Sequence, residues 1–154
     1  MRKFYGFSFI LLLLLIIQWG CTGEDSPVGP EGNTFLQTSL GFMVYPNGYQ
    51  VDLDLIDHLF LEFNECLLGL GIGPSAAIPA NVTIICTDTP FPCDSSPSNM
   101  CNGSYRNGVI KTDPAFLVLS HEFAHHELDL RTGDPDTAHD DPIFQTCGTS
   151  YSDW

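Results

Sequence analysis

Two histidines and a glutamate in the second half of the chain have the spacing found in metal-dependent hydrolases. The run is an H-E-x-x-H pentapeptide, His121-Glu122-Phe123-Ala124-His125. Residues four apart on a helix lie one turn apart on the same face, so both imidazoles can reach one Zn²⁺. Glu122 projects beside them, where it can accept a proton from a water activated by the metal. The pattern therefore predicts the centre of a zinc hydrolase, most often a peptidase.

A catalytic zinc site usually has three protein ligands and one open position, so a third ligand must come from outside the pentapeptide. His139 is the first candidate, because a chain that turns after the helix at Gly133-Asp134-Pro135 could bring it back to the metal. The competing candidates are carboxylates, namely Asp129, Asp136, Asp140 and Asp141. We expect Asp129 instead to orient a ligand imidazole by accepting a hydrogen bond.

The residues around the pentapeptide predict a helix that carries it. Asp113 fits the N-cap, Pro114 fits the first helical position, and residues 115–130 contain neither Gly nor Pro. Gly133 is expected just past the end of the helix. Its polar positions form one narrow stripe, Ser120, Glu127 and Arg131. A helix this apolar is predicted to be buried, where its histidines would be costly without a metal.

Two further histidines are predicted to lie at the surface. His126 falls to the side of the histidine pair and is expected at the polar rim of the same helix. His58 lies on the polar side of an earlier predicted helix. Neither is counted among the metal ligands.

The metal-binding pattern resembles that of the zincin metallopeptidases. The residues that carry the resemblance are His121, Glu122, His125 and His139. In that superfamily the histidines bind Zn²⁺ and the glutamate is the general base, so the resemblance implies those roles here. The chain departs from the metzincin spacing, in which Leu128 would be Gly and Arg131 would be His. The subfamily and the substrate stay open.

The N-terminal residues have the pattern of an export signal. Arg2 and Lys3 precede an apolar run, residues 4–19, that is short for a membrane span. We therefore predict a signal peptide at 1–20, with a retained membrane anchor as the weaker alternative. Gly20-Cys21 indicates a bacterial lipoprotein signal, although Gln18 is not the usual Leu-like residue; ordinary secretion is the alternative. Residues 21–34 then form a flexible tether, and a lipid on Cys21 would hold the domain at a membrane surface.

The charge of the chain limits its partners. The sequence has 19 acidic and 5 basic residues, a net charge of −14, and without Arg2 and Lys3 of the predicted signal it carries −16. Such a surface repels nucleic acid and anionic lipid headgroups. We expect a protein or peptide substrate, neutral or basic rather than acidic.

The cysteines fit an exported protein. Five remain after Cys21, so at most two disulfides form within the chain and one thiol is left over. Three of them, Cys86, Cys93 and Cys101, share a loop that a pair among them would staple. Cys66 falls on a predicted helix and could be a buried thiol. The connectivity stays open.

The remaining sequence predicts one α+β domain at 35–154. The expected elements are a strand at 35–44, a turn at 46–48, a helix at 52–68, strands at 82–86 and 108–111, an irregular loop at 87–107, and the metal helix. This layout is that of a minimal zincin-like core, with the first helix behind a small sheet.

The function predicted from these patterns is an exported zinc metallopeptidase. His121, His125 and His139 hold Zn²⁺, Glu122 is the general base, and an oxyanion partner could come from Tyr105 or Tyr151. The alternative is a non-catalytic exported binding module with a structural or vestigial zinc site.

Overall fold

A computed structural model describes residues 34–93, 96–135 and 138–148 of the chain. The predicted signal peptide, the tether up to residue 33 with Cys21, Asp136 and Tyr151 lie outside the described residues. Among the helices within these ranges, none has the length and apolar character needed to cross a bilayer.

The described residues form a sheet of mixed direction with helices packed against it. The strands are β1 (Leu36–Gln37), β2 (Met43–Tyr45), β3 (Thr83–Cys86), β4 (Phe91–Cys93), β5 (Ser96–Cys101), β6 (Gly103–Arg106) and β7 (Val109–Thr112). The helices are α1 (Leu53–Gly69), α2 (Leu119–Thr132) and α3 (Pro142–Thr146), and a short 3-10 turn covers Pro79–Asn81. The prediction of an α+β fold is confirmed.

The main sheet has the order β1-β2-β3-β7-β6. Its three central strands are parallel, and the outer strands β1 and β6 run antiparallel to their neighbours. Val44, Ile84 and Ile110 are aligned across the central strands and are fully buried. This apolar row is expected for parallel strands, which are covered on both faces. Strands β4 and β5 form a separate two-stranded sheet.

The core between the sheet and the helices is centred on Phe123, a residue of the pentapeptide. Its ring lies 5.6 Å from Phe42, 5.3 Å from Phe60 and 5.9 Å from Phe63, measured between ring centroids. Phe42 comes from the segment before β2, whereas Phe60 and Phe63 come from α1. Burial of these aromatic side chains fixes the rotation of α2 about its axis. His121 and His125 therefore occupy a face that points away from Phe123.

The first helix agrees with its prediction. Asp52 is the N-cap, and its carboxylate accepts hydrogen bonds of 3.1 Å from the N–H groups of Asp54 and Leu55. The helix ends at Gly69, one residue beyond the predicted bound. The strands predicted at 82–86 and 108–111 are also confirmed, each within one residue.

Three predicted elements are wrong. The single strand at 35–44 is two short strands, because the chain turns between Thr38 and Gly41, which has a φ of 109°. The irregular loop at 87–107 contains β4, β5 and β6. Their polar and Pro-containing sequences gave no strand pattern, and the pairing comes from the partner strands. The metal helix begins at Leu119 instead of Pro114.

The late start of α2 has a local cause. Phe116 has a φ of 59°, which is left-handed backbone that a right-handed helix excludes. Asp113 caps a turn instead of the helix, since its carboxylate accepts from the N–H groups of Ala115 and Leu117. At the other end the prediction holds, because Gly133 has a φ of 76° and its N–H donates to the carbonyl of Asp129.

Two disulfides cross-link the described residues. Cys93 pairs with Cys101 and links β4 to β5, which is one of the pairs that the sequence left open for that loop. Cys66 pairs with Cys147, so it is not the buried thiol that it could have been from the sequence. Cys86 is the buried thiol left over. Two disulfides are compatible with an exported protein.

The two disulfides should differ in their effect on stability. They close loops with sequence separations of 81 and 8 residues. Chain entropy then predicts a loss of about 4.5 kcal/mol for Cys66→Ala/Cys147→Ala and about 2.5 kcal/mol for Cys93→Ala/Cys101→Ala. Urea unfolding of both double variants measures this, and equal losses would contradict the entropic explanation.

Candidate metal centre

The three histidines predicted as ligands lie together at one end of the described fold. His121 and His125 come from α2, and His139 comes from the segment that returns after Gly133. The Nε2 atom of His139 is 3.2 Å from Nε2 of His121 and 3.1 Å from Nε2 of His125. All three ligand atoms lie within 4.8 Å of one another, and the group could hold a metal ion.

The donor atoms fit a tetrahedral ion. Two imidazole nitrogens bound to one Zn²⁺ at 2.0–2.1 Å with a tetrahedral angle are about 3.3 Å apart. The observed Nε2 separations of 3.2 and 3.1 Å are close to that value. A neutral imidazole presents one lone pair, and three converging lone pairs repel unless a cation lies between them. The group therefore has the chemistry and the size of a three-histidine metal site.

Two backbone carbonyls orient the helical histidines. Nδ1 of His125 is 2.6 Å from the carbonyl oxygen of Pro135, which can only accept, so Nδ1 carries the proton and Nε2 has the lone pair that could bind a metal. His121 also has a backbone hydrogen bond, to Gly148. Burial above all, and then the neighbouring His125 and His139, lower the pKa of His121 to about 4, although the Gly148 contact opposes them. His121 is thus neutral and ready to ligate over most of the pH range.

Phe144 of helix α3 lies under all three histidines. Its ring centroid is 5.1 Å from that of His121, 4.6 Å from that of His125 and 4.8 Å from that of His139. Phe144 is only 6% exposed. We did not predict this residue or its helix from the sequence. The available signal was Asp141-Pro142, an N-cap followed by Pro at the first helical position, and the Asp141 carboxylate does accept from the N–H of Ile143.

The returning segment holds His139 in an uncommon backbone conformation. His139 has a φ of 60°, in the left-handed region, which costs about 1–2 kcal/mol for a residue with a Cβ. Its side chain is exposed, so burial does not compensate this cost. Ring contacts with Phe144 and with the other two histidines hold the His139 side chain in place.

Glu122 is buried under the edge strand of the sheet. It is 3% exposed, and a Cβ placed on Gly103 of β6 would lie 2.3 Å from its Oε1 atom. Among the described residues its Oε2 atom has no hydrogen-bond partner. Burial without such partners raises the pKa of Glu122 to about 8. The carboxyl group is therefore poorly solvated and has one oxygen available for a further hydrogen bond.

A second carboxylate of α2 is also buried, and this one has hydrogen-bond partners in the protein. Glu127 is fully buried, and its carboxylate accepts from the hydroxyl of Ser75 at 2.5 Å, from the N–H of Ala76 at 3.0 Å and from Arg131. This contact ties the segment after α1 to the metal helix. These hydrogen bonds offset the cost of burying the Glu127 carboxylate.

His126, Tyr105 and Asp129 form a separate polar cluster, and none of them belongs to the three-histidine group. Nδ1 of His126 is 3.1 Å from the hydroxyl of Tyr105, and that hydroxyl donates to Asp129 at 2.5 Å. The prediction that His126 lies at the rim is wrong, since it is 5% exposed. Asp129 binds Tyr105 instead of a ligand imidazole. Burial and this contact raise the pKa of Tyr105, whose hydroxyl also accepts from the N–H of Gly108. His58 is exposed beside Glu62, as expected.

The metal-free protein should lose stability as the pH rises from about 6.5 to 8, because of Glu122. Its folded-state pKa of about 8 exceeds the ordinary 4.5, so the folded state keeps a proton that the unfolded state has released. Rising pH then favours unfolding by up to about 2 kcal/mol over this interval. Urea unfolding with chelator present measures the loss, which Glu122→Gln should abolish and Glu62→Gln at the surface should leave intact. An equal loss in Glu122→Gln would contradict the assignment.

Gly103→Ala should displace the Glu122 carboxylate. The added Cβ would lie 2.3 Å from Oε1 of Glu122 and 2.7 Å from Val118, so the side chain or the strand must move. We expect a loss of about 1–3 kcal/mol in the free energy of unfolding. Gly69→Ala is the matched control, because a Cβ there meets nothing within 4 Å. Equal stabilities of the two variants would show that the contact is not tight.

No protein-family model, curated protein or solved structure matches this chain. The chemistry of the centre is therefore argued from its residues and their geometry.

Proposed function

We propose that this protein is an exported zinc-dependent metallopeptidase of the zincin type. The observation that carries the proposal is the convergence of the three Nε2 atoms of His121, His125 and His139. Glu122 follows the first ligand directly in the sequence and is held in a desolvated position. Three imidazoles with a neighbouring carboxylate are the donor set of a hydrolytic zinc centre.

Zinc is the ion that the ligand chemistry favours. Imidazole nitrogen suits zinc, copper, iron and nickel, whereas calcium and magnesium prefer oxygen. The spacing of the nitrogens suits a tetrahedral site, the ordinary geometry of Zn²⁺ in proteins. When bound, the ion would polarise a substrate carbonyl and make a water more acidic.

The position of strand β6 supports a peptide as the substrate. It is the edge strand of the main sheet, antiparallel to β7, and its residue Gly103 lies against Glu122. An extended peptide can add to such an edge through backbone hydrogen bonds, and this would bring its carbonyl groups past the metal helix. A first helix, strands and then the metal helix is the layout that the zincin resemblance implies.

The role of Glu122 follows from its surroundings. A nearby cation favours the carboxylate over the neutral acid, so metal binding opposes the effect of burial on its pKa. The carboxylate then accepts the proton of the attacking water and later gives it to the leaving amine. Because Glu122 is buried, little solvent water can exchange the proton that its carboxylate carries between the attacking water and the leaving amine. His121 and His125 stay neutral ligands, with His125 fixed by Pro135.

The alternative of a structural zinc site is less well supported. Structural sites close the fourth position with a protein ligand. Within the described ranges the candidate group has three members, none of them a carboxylate or a cysteine. His139 is exposed, so the group can be approached from solvent.

Export is also part of the proposal. It is supported by the N-terminal sequence pattern and by two disulfides compatible with an exported protein, with Cys21 as the lipid attachment point.

The test of the proposed function is peptide hydrolysis by Glu122→Gln. We expect kcat/KM on an unstructured protein such as casein to fall by about 10²–10⁴-fold, with zinc content unchanged, because only proton transfer is lost. A chelator should abolish the wild-type activity, and added Zn²⁺ should restore it.

Glu62→Gln is the control, since this residue is exposed and its contact is with His58. It should retain wild-type activity. A wild type that binds zinc and hydrolyses nothing would favour the binding module, and full hydrolysis by Glu122→Gln would exclude the proposed mechanism.

A further inference from the structure

The C-terminal part of the described chain supplies three contacts to the metal centre from outside α2, in addition to the Pro135 carbonyl that orients His125. We call residues 138–148 the closing segment. It contains the third histidine, His139, and the aromatic ring under the group, Phe144. It also contains Gly148, whose backbone bonds to His121. The helix alone therefore carries two ligands, and the geometry of the site depends on where this segment lies.

One covalent bond fixes the closing segment to the rest of the fold. Cys147 lies three residues after Phe144 and is bonded to Cys66 on helix α1, with a Cα–Cα distance of 5.6 Å. Near this bond the N–H groups of Cys147 and Gly148 both donate to the carbonyl of Ile143, at 2.8 and 2.9 Å. The position of Cys147 therefore determines the positions of the short helix α3 and of Phe144.

The packing around Gly148 leaves little freedom in this arrangement. A Cβ on Gly148 would lie 3.1 Å from Cα of Phe144 and 3.4 Å from Cβ of Ala124. Ala124 stands between the two helical ligands of the pentapeptide. The closing segment therefore contacts the metal helix at the level of the histidines, and a shift of α3 would move Phe144 relative to all three rings.

We propose that the Cys66–Cys147 disulfide and Phe144 are positioning groups of the metal centre, so that metal affinity depends on this disulfide. The inference rests on metal binding by the three histidines, a part of the proposed function. Helix α3 has only five residues, and His139, the third candidate ligand, has left-handed backbone. Within the described residues, the Cys66–Cys147 bond is the covalent cross-link that holds this segment against α1. With the disulfide absent, His139 would sample positions away from the other two Nε2 atoms, and ordering it would oppose metal binding.

The test measures Zn²⁺ affinity of the full chain by competition with a chelating indicator. Cys66→Ala/Cys147→Ala, under conditions where circular dichroism shows it folded, should bind Zn²⁺ about 10–100-fold more weakly than the wild type. Cys93→Ala/Cys101→Ala, which removes the other disulfide, should bind as the wild type does. A folded Cys66→Ala/Cys147→Ala protein with wild-type affinity would overturn the proposal.

A second variant keeps the test decisive if the first does not fold. Phe144→Leu preserves both disulfides and should weaken Zn²⁺ binding, whereas Phe63→Leu, at a core ring that contacts Phe123, should not. Bound Co²⁺ reports the geometry, and the intense visible absorption of a tetrahedral site should diminish only in Phe144→Leu. Unchanged affinity and spectrum in this variant would overturn the proposal.

The same measurements separate this inference from the proposed function. A wild type that binds no Zn²⁺ would overturn the proposed function and the inference with it. A wild type that binds Zn²⁺ tightly, with variants that bind equally well, would overturn the inference alone.

Discussion

The burial of helix α2 on nearly every side is the constraint from which the other features follow. Phe123 anchors one face in the aromatic core, and the remaining faces carry ionisable side chains that are also shielded from water. A buried polar group is costly unless something binds it. The fold meets this requirement for Glu127 with Ser75, Ala76 and Arg131. Tyr105 meets it for Nδ1 of His126, whereas Nε2 of His126 has no hydrogen-bond partner among the described residues.

Three other polar residues of that helix, His121, Glu122 and His125, have different surroundings. His121 and His125 point with His139 at one place, where no protein proton can satisfy three lone pairs at once. Glu122 has an oxygen without a partner among the described residues. Protein groups satisfy the Glu127 carboxylate, whereas an ion and a water could satisfy the three histidines and Glu122. This difference supports the proposed function.

Much of the local structure was predictable because it depends on neighbouring residues. The cap at Asp52, the turn at Gly133 and the apolar strands around Ile84 and Ile110 each follow from short-range rules. The start of α2 was not predictable, because the left-handed backbone of Phe116 interrupts a run of residues that is otherwise suited to a helix. Strands β4 to β6 were missed for a related reason. Their sequences do not alternate apolar and polar residues, and two of them contain Pro. Their pairing depends on the partner strands and, for β4 and β5, on the disulfide between them.

The sequence by itself determined the ligand types and their spacing on one helical face, because four residues make about one turn whatever surrounds them. It also singled out His139 from the competing carboxylates by ligand chemistry. Only the tertiary structure decided that His139 meets the other two histidines, that Phe144 supports all three, and that Cys66 bonds to Cys147. These contacts join residues far apart in the chain, and long-range packing, which no local pattern encodes, brings them together.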